Sequence, residues 1–157
     1  MDIVYIILAL PVNKKEPVGM NTYDYEIGLS VRDYELDVQG VVNNAVYQNY
    51  LEHARHEFLK EIGLNFVELH NNGTDAVVHK IELEYKQSLA ANDDFIIRMK
   101  AEPSGNVRFV FTQNIYRKSD NALILKGKVT AVFMNNGRPI RPPKEVTNAI
   151  ESYRMSS

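Results

Sequence analysis

An acid stands shortly before a predicted helix in the segment ELDVQGVVNNAVYQNYLEHARHEFL, which runs from Glu35 to Leu59. A carboxylate such as that of Asp37 can act as a nucleophile or as a base for water. N–H groups at a helix N-terminus can stabilise negative charge that develops on an oxygen. The loop from Asp37 to Asn44 therefore combines two groups that attack on a carbonyl requires. Gly40 within it has no side chain to keep another molecule away.

The helix that would position this loop is predicted from Ala45 to Ile62. Asn43 and Asn44 precede it, and asparagine is favoured there because its side chain accepts hydrogen bonds from the first free N–H groups. Gly63 is a natural end. Apolar residues recur at spacings of three and four, which places one stripe on one helix face: Tyr47, Tyr50, Leu51, Ala54, Phe58 and Ile62.

Five strand patterns complete the predicted domain. YDYEIGLSV precedes the helix, and four patterns follow it: DAVVHKIELEYK, FIIRMKAE, VRFVFTQNIYRK and ALILKGKVTAVFM. Short, turn-rich separators favour antiparallel pairing. A short terminal helix is predicted from about Lys144 to Tyr153. Because only the long helix can cover a face of the sheet, the sequence predicts an α+β domain with an antiparallel sheet wrapped around a central helix.

The histidines do not predict a metal site. His53 and His56 lie on the helix, but EHARHE is not the H-E-x-x-H motif, and no third ligand is evident. Glu52 and His56 are four residues apart, as in a surface pair. His79 falls on an apolar strand face, where we expect a hydrogen-bonded core residue and not a catalyst.

Net charge and cysteine content narrow the classes of function. The chain has 157 residues, the size of one domain, and its formal net charge of −2 argues against a nucleic-acid binder, because such proteins are usually strongly basic. It contains no cysteine, which excludes disulfides, thiolate metal sites and a cysteine nucleophile. The lack of cysteine is compatible with a reducing cytoplasm, where we expect the protein to act.

The first residues form an apolar run that the domain is not expected to need. Residues from Ile3 to Leu10 are apolar, but this run is far shorter than the ~20 residues that a membrane-spanning helix requires. Asp2 stands where a signal peptide would carry a basic residue, so a signal peptide is the less favoured alternative. We therefore predict an N-terminal extension over residues 1–19 and the folded domain over residues 20–157.

The stretch VRDYELDVQGVVNNAVYQNYLEHAR, from Val31 to Arg55, resembles the hotdog-fold thioesterases of the 4-hydroxybenzoyl-CoA thioesterase type. The shared pattern is an acid, two residues, a glycine, two apolar residues, a polar pair and then a tyrosine that enters the helix. It is especially similar to the branch that includes plant acyl-lipid thioesterases and their bacterial relatives. The resemblance covers roughly Tyr23 to Ile150. Many members have histidine where this chain has Val41.

This resemblance implies a hotdog fold, in which an antiparallel five-stranded sheet wraps around a long central helix. It implies hydrolysis of an acyl-CoA or acyl-carrier-protein thioester, with a fatty acyl group expected and with no cofactor or metal. Asp37 is then the catalytic carboxylate, and the backbone N–H of Asn44 is the oxyanion donor. Relatives form dimers or pairs of dimers, so a homodimer or homotetramer is expected. The residues expected to bind substrate are Gly40, Val41, Asn43 and Tyr47.

Several features have a second interpretation. Asn43 and Asn44 are also what helix capping requires, and for Tyr47 a core role is favoured over a catalytic one. A non-catalytic acyl-CoA-binding module is the alternative function, although such a module has no need of Asp37. A dehydratase is disfavoured because the loop around Gly40 lacks histidine. Five late basic residues form either a solvated face or a site for CoA phosphates or an acidic carrier protein: Lys126, Lys128, Arg138, Arg141 and Lys144.

Overall fold

The structure of the protein, a computed structural model, describes residues 23–156, and the predicted extension over residues 1–19 lies outside that range. In chain order the elements are β1 (Tyr25–Ser30), a 3₁₀ helix (Asp33–Glu35), α1 (Val46–Glu61), α2 (Phe66–Asn71), β2 (Thr74–Tyr85), β3 (Asp94–Ser104), β4 (Arg108–Arg117), β5 (Leu123–Asn135), β6 (Arg138–Ile140) and α3 (Lys144–Ser156). No helix in the described range combines the length and the apolar composition that crossing a membrane requires.

The strands form one antiparallel sheet in the order β1-β3-β4-β5-β2, with β6 paired to the end of β5. The predicted five-stranded antiparallel sheet is confirmed, and β6 is added to it. Strand β6 is not predicted by the sequence pattern, because Pro139 interrupts it. Asn136 and Gly137 have positive φ angles of 47° and 76°, which fold the chain back onto β5. Proline is tolerated in β6 because this strand lies at an edge of the sheet.

Helix α1 packs against one face of the sheet and begins and ends within one residue of its predicted bounds. The core divides into two adjacent clusters, one around the first half of α1 and one around its second half together with α3. The helical stripe supplies the residues that α1 buries, as predicted: Tyr47, Tyr50, Leu51, Ala54 and Phe58, with Leu59 beside them.

Gly127 in β5 allows α1 to approach the middle of the sheet closely. A Cβ atom at this position would lie 3.0 Å from the Leu51 Cδ1 atom and 3.0 Å from the Gln113 carbonyl oxygen. Gln113 is fully buried beside it, and its side chain donates to the Leu51 carbonyl oxygen at 2.9 Å and accepts from Arg55 at 2.9 Å. The helix is therefore fixed to the sheet by packing and by satisfied buried polar groups.

A β-bulge in β2 corrects the predicted position of His79. Val78 pairs with Ala131 and Lys80 pairs with Thr130, so His79 is an extra residue between them. The histidine is exposed there, and the prediction of a core residue is wrong. The bulge also moves Val78, in place of Val77, to the face that carries Ile81.

Helix α3 is held in place by a cluster of its own residues and Asp24, which stands just before β1. Val146 and Ile150 are buried beneath it, and Arg154 donates through two nitrogens to the Asp24 carboxylate at 2.7 and 2.8 Å. Burial raises the pKa of Asp24, but hydrogen bonds from Arg154 and from the Ala101 N–H, together with the Arg154 charge, leave that pKa below its ordinary value. This pair therefore stabilises the docked helix when Asp24 is ionised.

Arg154→Ala should lower the free energy of unfolding at neutral pH by about 2 kcal/mol, because Asp24 loses its charge-assisted hydrogen bonds. The pKa of Asp24 in the folded protein lies below its ordinary value of 3.8, so the ionised carboxylate stabilises the fold above pH 3.8. This stabilisation is lost as the pH falls through the lower pKa of the folded state. Urea unfolding of the two proteins should therefore converge in acid. Arg141→Ala, an exposed arginine outside this cluster, is the control. An equal difference at every pH would contradict this role of Asp24.

Candidate active site

The loop from Asp37 to Asn44 is a tight, hydrogen-bonded turn. The Asp37 N–H donates to the Val41 carbonyl oxygen at 2.8 Å, and the Gly40 N–H donates to the Asp37 carbonyl oxygen at 3.0 Å. Gly40 has a φ of 76°, a left-handed conformation that favours glycine. No atom lies within 4 Å of where a Cβ at Gly40 would be, so this side of the loop is open within the described chain.

Asp37 is half-buried within this turn. Its Oδ1 atom accepts the Gln39 N–H at 2.8 Å, which fixes the orientation of the carboxylate. Its Oδ2 atom makes no hydrogen bond to any residue in the range 23–156. One oxygen thus holds the side chain in place while the other is available for chemistry.

The Asn44 N–H, just before α1, is a backbone donor without a partner among the described residues. The Asn43 Oδ1 atom accepts the Ala45 N–H at 3.0 Å, while the Asn43 carbonyl oxygen accepts the Val46 N–H at 2.9 Å. Asn43 thus closes the turn before the helix, whose N-cap is Ala45. The Asn44 carbonyl oxygen accepts from the Tyr85 hydroxyl at 2.9 Å, but its N–H has no acceptor among the described residues. Asn44 is therefore able to donate to a ligand.

A second segment braces the far side of the loop. The Val42 N–H donates to the Leu89 carbonyl oxygen at 2.9 Å, and Val41 forms a bridge with Ala90. The Leu89 N–H in turn donates to the Tyr47 hydroxyl at 3.0 Å. Tyr47 is only 2% exposed, and burial raises the pKa of its hydroxyl. These contacts give Tyr47 the packing role favoured by the sequence, while its contact with substrate stays a prediction.

Arg117 anchors this second segment from β4. Its guanidinium donates to the Ser88 carbonyl oxygen at 3.2 Å and to the Gln87 side chain at 3.0 Å. It also binds Asp120 through two nitrogens and lies 3.7 Å from Asp93. The hydrogen bond to Asp120 and the nearby carboxylate charges raise the pKa of Arg117. The guanidinium therefore ties three separate stretches of chain together behind the loop.

Glu35 is a buried acid that no motif in the sequence singles out. It is 7% exposed, and its Oε2 atom accepts from the Tyr50 hydroxyl at 2.5 Å and from the Arg32 N–H at 2.8 Å. Its backbone carbonyl oxygen accepts the Asn43 N–H at 3.0 Å. The only sequence signal is an acid at the third position of a helical turn, as in a capping box, but Arg32 is not a usual first residue of that motif.

Other predicted features pair with residues outside the loop. Lys126 and Lys128 stand opposite Glu84 and Glu82 on β2, so cross-strand acids balance their charge. Arg138 pairs with a residue at the other end of β5. Glu52 and His56 form the expected surface pair at 4.0 Å. Within residues 23–156 no three histidine or acidic side chains are grouped so as to hold a metal.

Comparison with known proteins assigns this arrangement to a family. The Thioesterase-like superfamily matches residues 31–150. The chain is 37% identical over 129 residues to the chloroplastic acyl-acyl carrier protein thioesterase ATL3 of Arabidopsis thaliana, a match that covers 82% of this chain and 67% of that protein. It is 40% identical over 123 residues to ATL2 of the same plant, with 78% and 65% covered. The chain thus spans about two thirds of the length of these relatives.

A solved structure with the same fold is the 1,4-dihydroxy-2-naphthoyl-CoA thioesterase Slr0204 of Synechocystis. It superposes with a TM-score of 0.76 at 14% identity, over 80% of this chain and 94% of that one. The likeness concerns the fold alone, since the identity is low. It confirms the predicted hotdog fold.

Arg117→Ala should loosen the brace behind the loop. Losing hydrogen bonds from a charged donor costs roughly 2 kcal/mol, which corresponds to roughly thirtyfold faster amide exchange where local opening controls it. The Val42 and Leu89 amides, which depend on this brace, should show the effect in hydrogen-exchange measurements.

Arg98→Ala is the matched control, because Arg98 binds Glu26 and lies over the Tyr116 ring, away from the loop. It should leave the Val42 amide unchanged. Unchanged exchange at Val42 in the Arg117 variant would refute the proposed brace.

Proposed function

The chain belongs to the thioesterase-like superfamily, and on that premise we propose that Asp37 and the Asn44 N–H carry out its hydrolysis of acyl thioesters. Membership of this family confirms the predicted class of enzyme, a thioester hydrolase. The roles of individual residues are our proposal. One observation carries it: Asp37 and Asn44 bound the same hydrogen-bonded turn, and each keeps one polar group without a partner among residues 23–156.

The chemistry follows from the two groups. A thioester carbonyl carbon is electrophilic, and a thiolate leaves readily because thiols have a pKa of about 8.5. The Asp37 carboxylate either attacks this carbon or removes a proton from an attacking water. The Asn44 N–H donates to the carbonyl oxygen as it gains negative charge. The carbon–sulfur bond then breaks, and with one water consumed the products are a carboxylic acid and a thiol.

The substrate we propose is a fatty acyl group carried by CoA or by an acyl-carrier protein. The names of the two plant relatives support a carrier-protein thioester, and the fatty acyl group rests on resemblance to their branch. The remaining predicted contacts, from Gly40, Val41 and Asn43, belong to the same loop and would line the path to the carbonyl. Since the chain lacks cysteine, we propose a cytoplasmic setting for this activity.

We propose that two copies associate through β2, an end strand of the sheet. Ile81 and Val78 lie opposite Val129 and Ala131, which are 1% and 6% exposed, yet they are themselves 41% and 47% exposed. The core-facing side of β2 is therefore apolar but uncovered by α1. A second copy would bury this surface and pair the strand edge, a usual solution for an open edge.

Asp37→Asn should reduce turnover by at least about a hundredfold, because the amide can neither attack nor accept a proton. The measurement is free-thiol release from aliphatic and aromatic acyl-CoAs and from acyl-carrier protein. Asp33→Asn, an exposed acid in the preceding 3₁₀ helix, is the matched control and should remain active. Unaffected turnover in the Asp37 variant would show that another acid acts. If the native protein bound every substrate tightly but turned none of them over, the proposal that it hydrolyses these thioesters would be contradicted.

Ile81→Glu should convert the oligomer to a monomer, because a charge buried between two β2 strands without a partner is strongly unfavourable. Sedimentation analysis of native and variant protein measures this directly. Met155→Glu is the control, since Met155 is 89% exposed on α3 and far more open than Ile81. A monomeric native protein, or a variant of unchanged mass, would rule out association through β2.

A further inference from the structure

Glu35 is a buried acid with no part in the chemistry proposed above. It stands two residues before Asp37 and is 7% exposed. Burying a carboxylate is costly unless hydrogen bonds satisfy it, so a fold keeps one where its contacts matter. Apart from hydrogen bonds and an ion pair with Arg32, the contacts of Glu35 lead to the end of the loop that carries Asp37 and to the helix that follows this loop.

The side chain of Glu35 connects the loop to α1. The Tyr50 hydroxyl, in the second turn of the helix, donates to its Oε2 atom, and the Arg32 N–H donates to the same oxygen. Burial, followed by the bond to Glu35, raises the pKa of the Tyr50 hydroxyl. Tyr50 therefore stays protonated throughout the ordinary pH range and continues to donate.

The main chain of Glu35 connects to the other end of the loop. Its carbonyl oxygen accepts the Asn43 N–H at 3.0 Å, and its N–H donates to the Arg32 carbonyl oxygen at 3.0 Å. The Asn43 N–H is thereby consumed, whereas the next one along the chain, that of Asn44, is left for a ligand. One residue thus determines where the loop starts and which amide at its end remains free.

We propose that Glu35 is a positioning residue. Through its hydrogen bond with Tyr50 it holds the Asp37–Asn44 loop against α1. It thereby fixes the position of the Asp37 carboxylate relative to the Asn44 N–H. This inference rests on the proposed function, since it gives Glu35 a purpose only if those two groups act together. The carboxylate of Glu35 accepts hydrogen bonds and does not itself exchange protons with substrate.

A cavity lies beside this tether, between the 3₁₀ helix and α1. It measures about 380 Å³ and is bounded by β1, the 3₁₀ helix and α1, with Leu29, Val46, Asn49 and His53 among its lining residues. Close packing therefore does not hold the 3₁₀ helix against α1 on this side. Glu35 and Tyr50 both line the cavity, and their hydrogen bond joins the 3₁₀ helix to α1 along its wall.

The test is steady-state kinetics of thiol release from the best acyl-CoA for four variants. Glu35→Ala should lower kcat about a hundredfold with little change in KM, because a misplacement of about 1 Å has that effect on a catalytic geometry. Glu35→Gln should restore most of this loss, since its amide oxygen accepts the same two hydrogen bonds. Tyr50→Phe should lower kcat about tenfold, the value of one hydrogen bond.

Tyr153→Phe is the matched control, because the Tyr153 hydroxyl binds Glu61 at the opposite end of α1 at 2.8 Å. A loss of general stability would affect both tyrosine variants alike, whereas positioning predicts a fall in kcat only for Tyr50→Phe. If Glu35→Ala fails to fold, Glu35→Gln and Tyr50→Phe still decide the matter.

Two results would overturn the proposal. Glu35→Gln as inactive as Asp37→Asn would mean that the Glu35 carboxylate takes part in proton transfer or attack. Native kcat in both Glu35→Ala and Tyr50→Phe would mean that the tether is irrelevant. Failure of the proposed function is distinguishable, because full activity in Asp37→Asn contradicts the role of Asp37 whatever the Glu35 variants do.

Discussion

The hydrogen bond from the Asn43 N–H to the Glu35 carbonyl oxygen is the contact on which the candidate site depends, because it closes the loop that contains Asp37. An open loop of this length would have many conformations, and ordering it costs entropy. Closure brings the chain leaving the 3₁₀ helix back to the start of α1, and the bond between Asp37 and Val41 tightens the turn inside. The distance between a carboxylate and a helix-terminal amide is then set by backbone geometry.

Closure alone would leave this loop free to move as a unit, and the position of α1 prevents that. Gly127 lets the helix lie close to the centre of the sheet, while the buried Gln113 side chain bonds its backbone at Leu51. At the helix start, Tyr85 at the end of β2 donates to the Asn44 carbonyl oxygen, and Tyr47 meets its ring edge-on. The first half of α1 is therefore fixed to the sheet at Leu51, and the chain just before it at Asn44. These contacts also fix the position of the loop.

The sequence predicts well those features in which residue type follows directly from a physical requirement. The helical stripe, the alternating strands and the Gly40 turn all have that character, whereas the N-cap of α1 is Ala45 and not one of the two predicted asparagines. What it does not predict are contacts made by the backbone or by residues distant in sequence. Leu89 braces the loop with its own N–H and carbonyl oxygen, groups that every residue except proline carries and that residue type therefore does not reveal.

Two other features that the sequence does not predict, the bulge at His79 and strand β6, have local causes. The bulge at His79 inserts one residue into a regular alternation, and nothing in the alternation itself marks where that happens. In β6 the tight Asn136-Gly137 turn outweighs the presence of Pro139. In both cases pairing with β5 decides the conformation, and pairing is a tertiary contact that a single strand pattern does not contain.

The bonded and the open sides of the loop differ in a way that bears on catalysis. The inner side is held by Glu35, Val41 and Leu89, whereas Val38 on the outer side is fully exposed and nothing in residues 23–156 packs against Gly40. A carboxylate and an oxyanion donor act most strongly where water is excluded. Residues 23–156 provide the rigid half of such an environment and leave the Gly40 side open, and in the proposed reaction the bound substrate would cover that side. The apolar face of β2 that α1 leaves exposed is a second open surface of residues 23–156, and the proposed association of two copies would cover it.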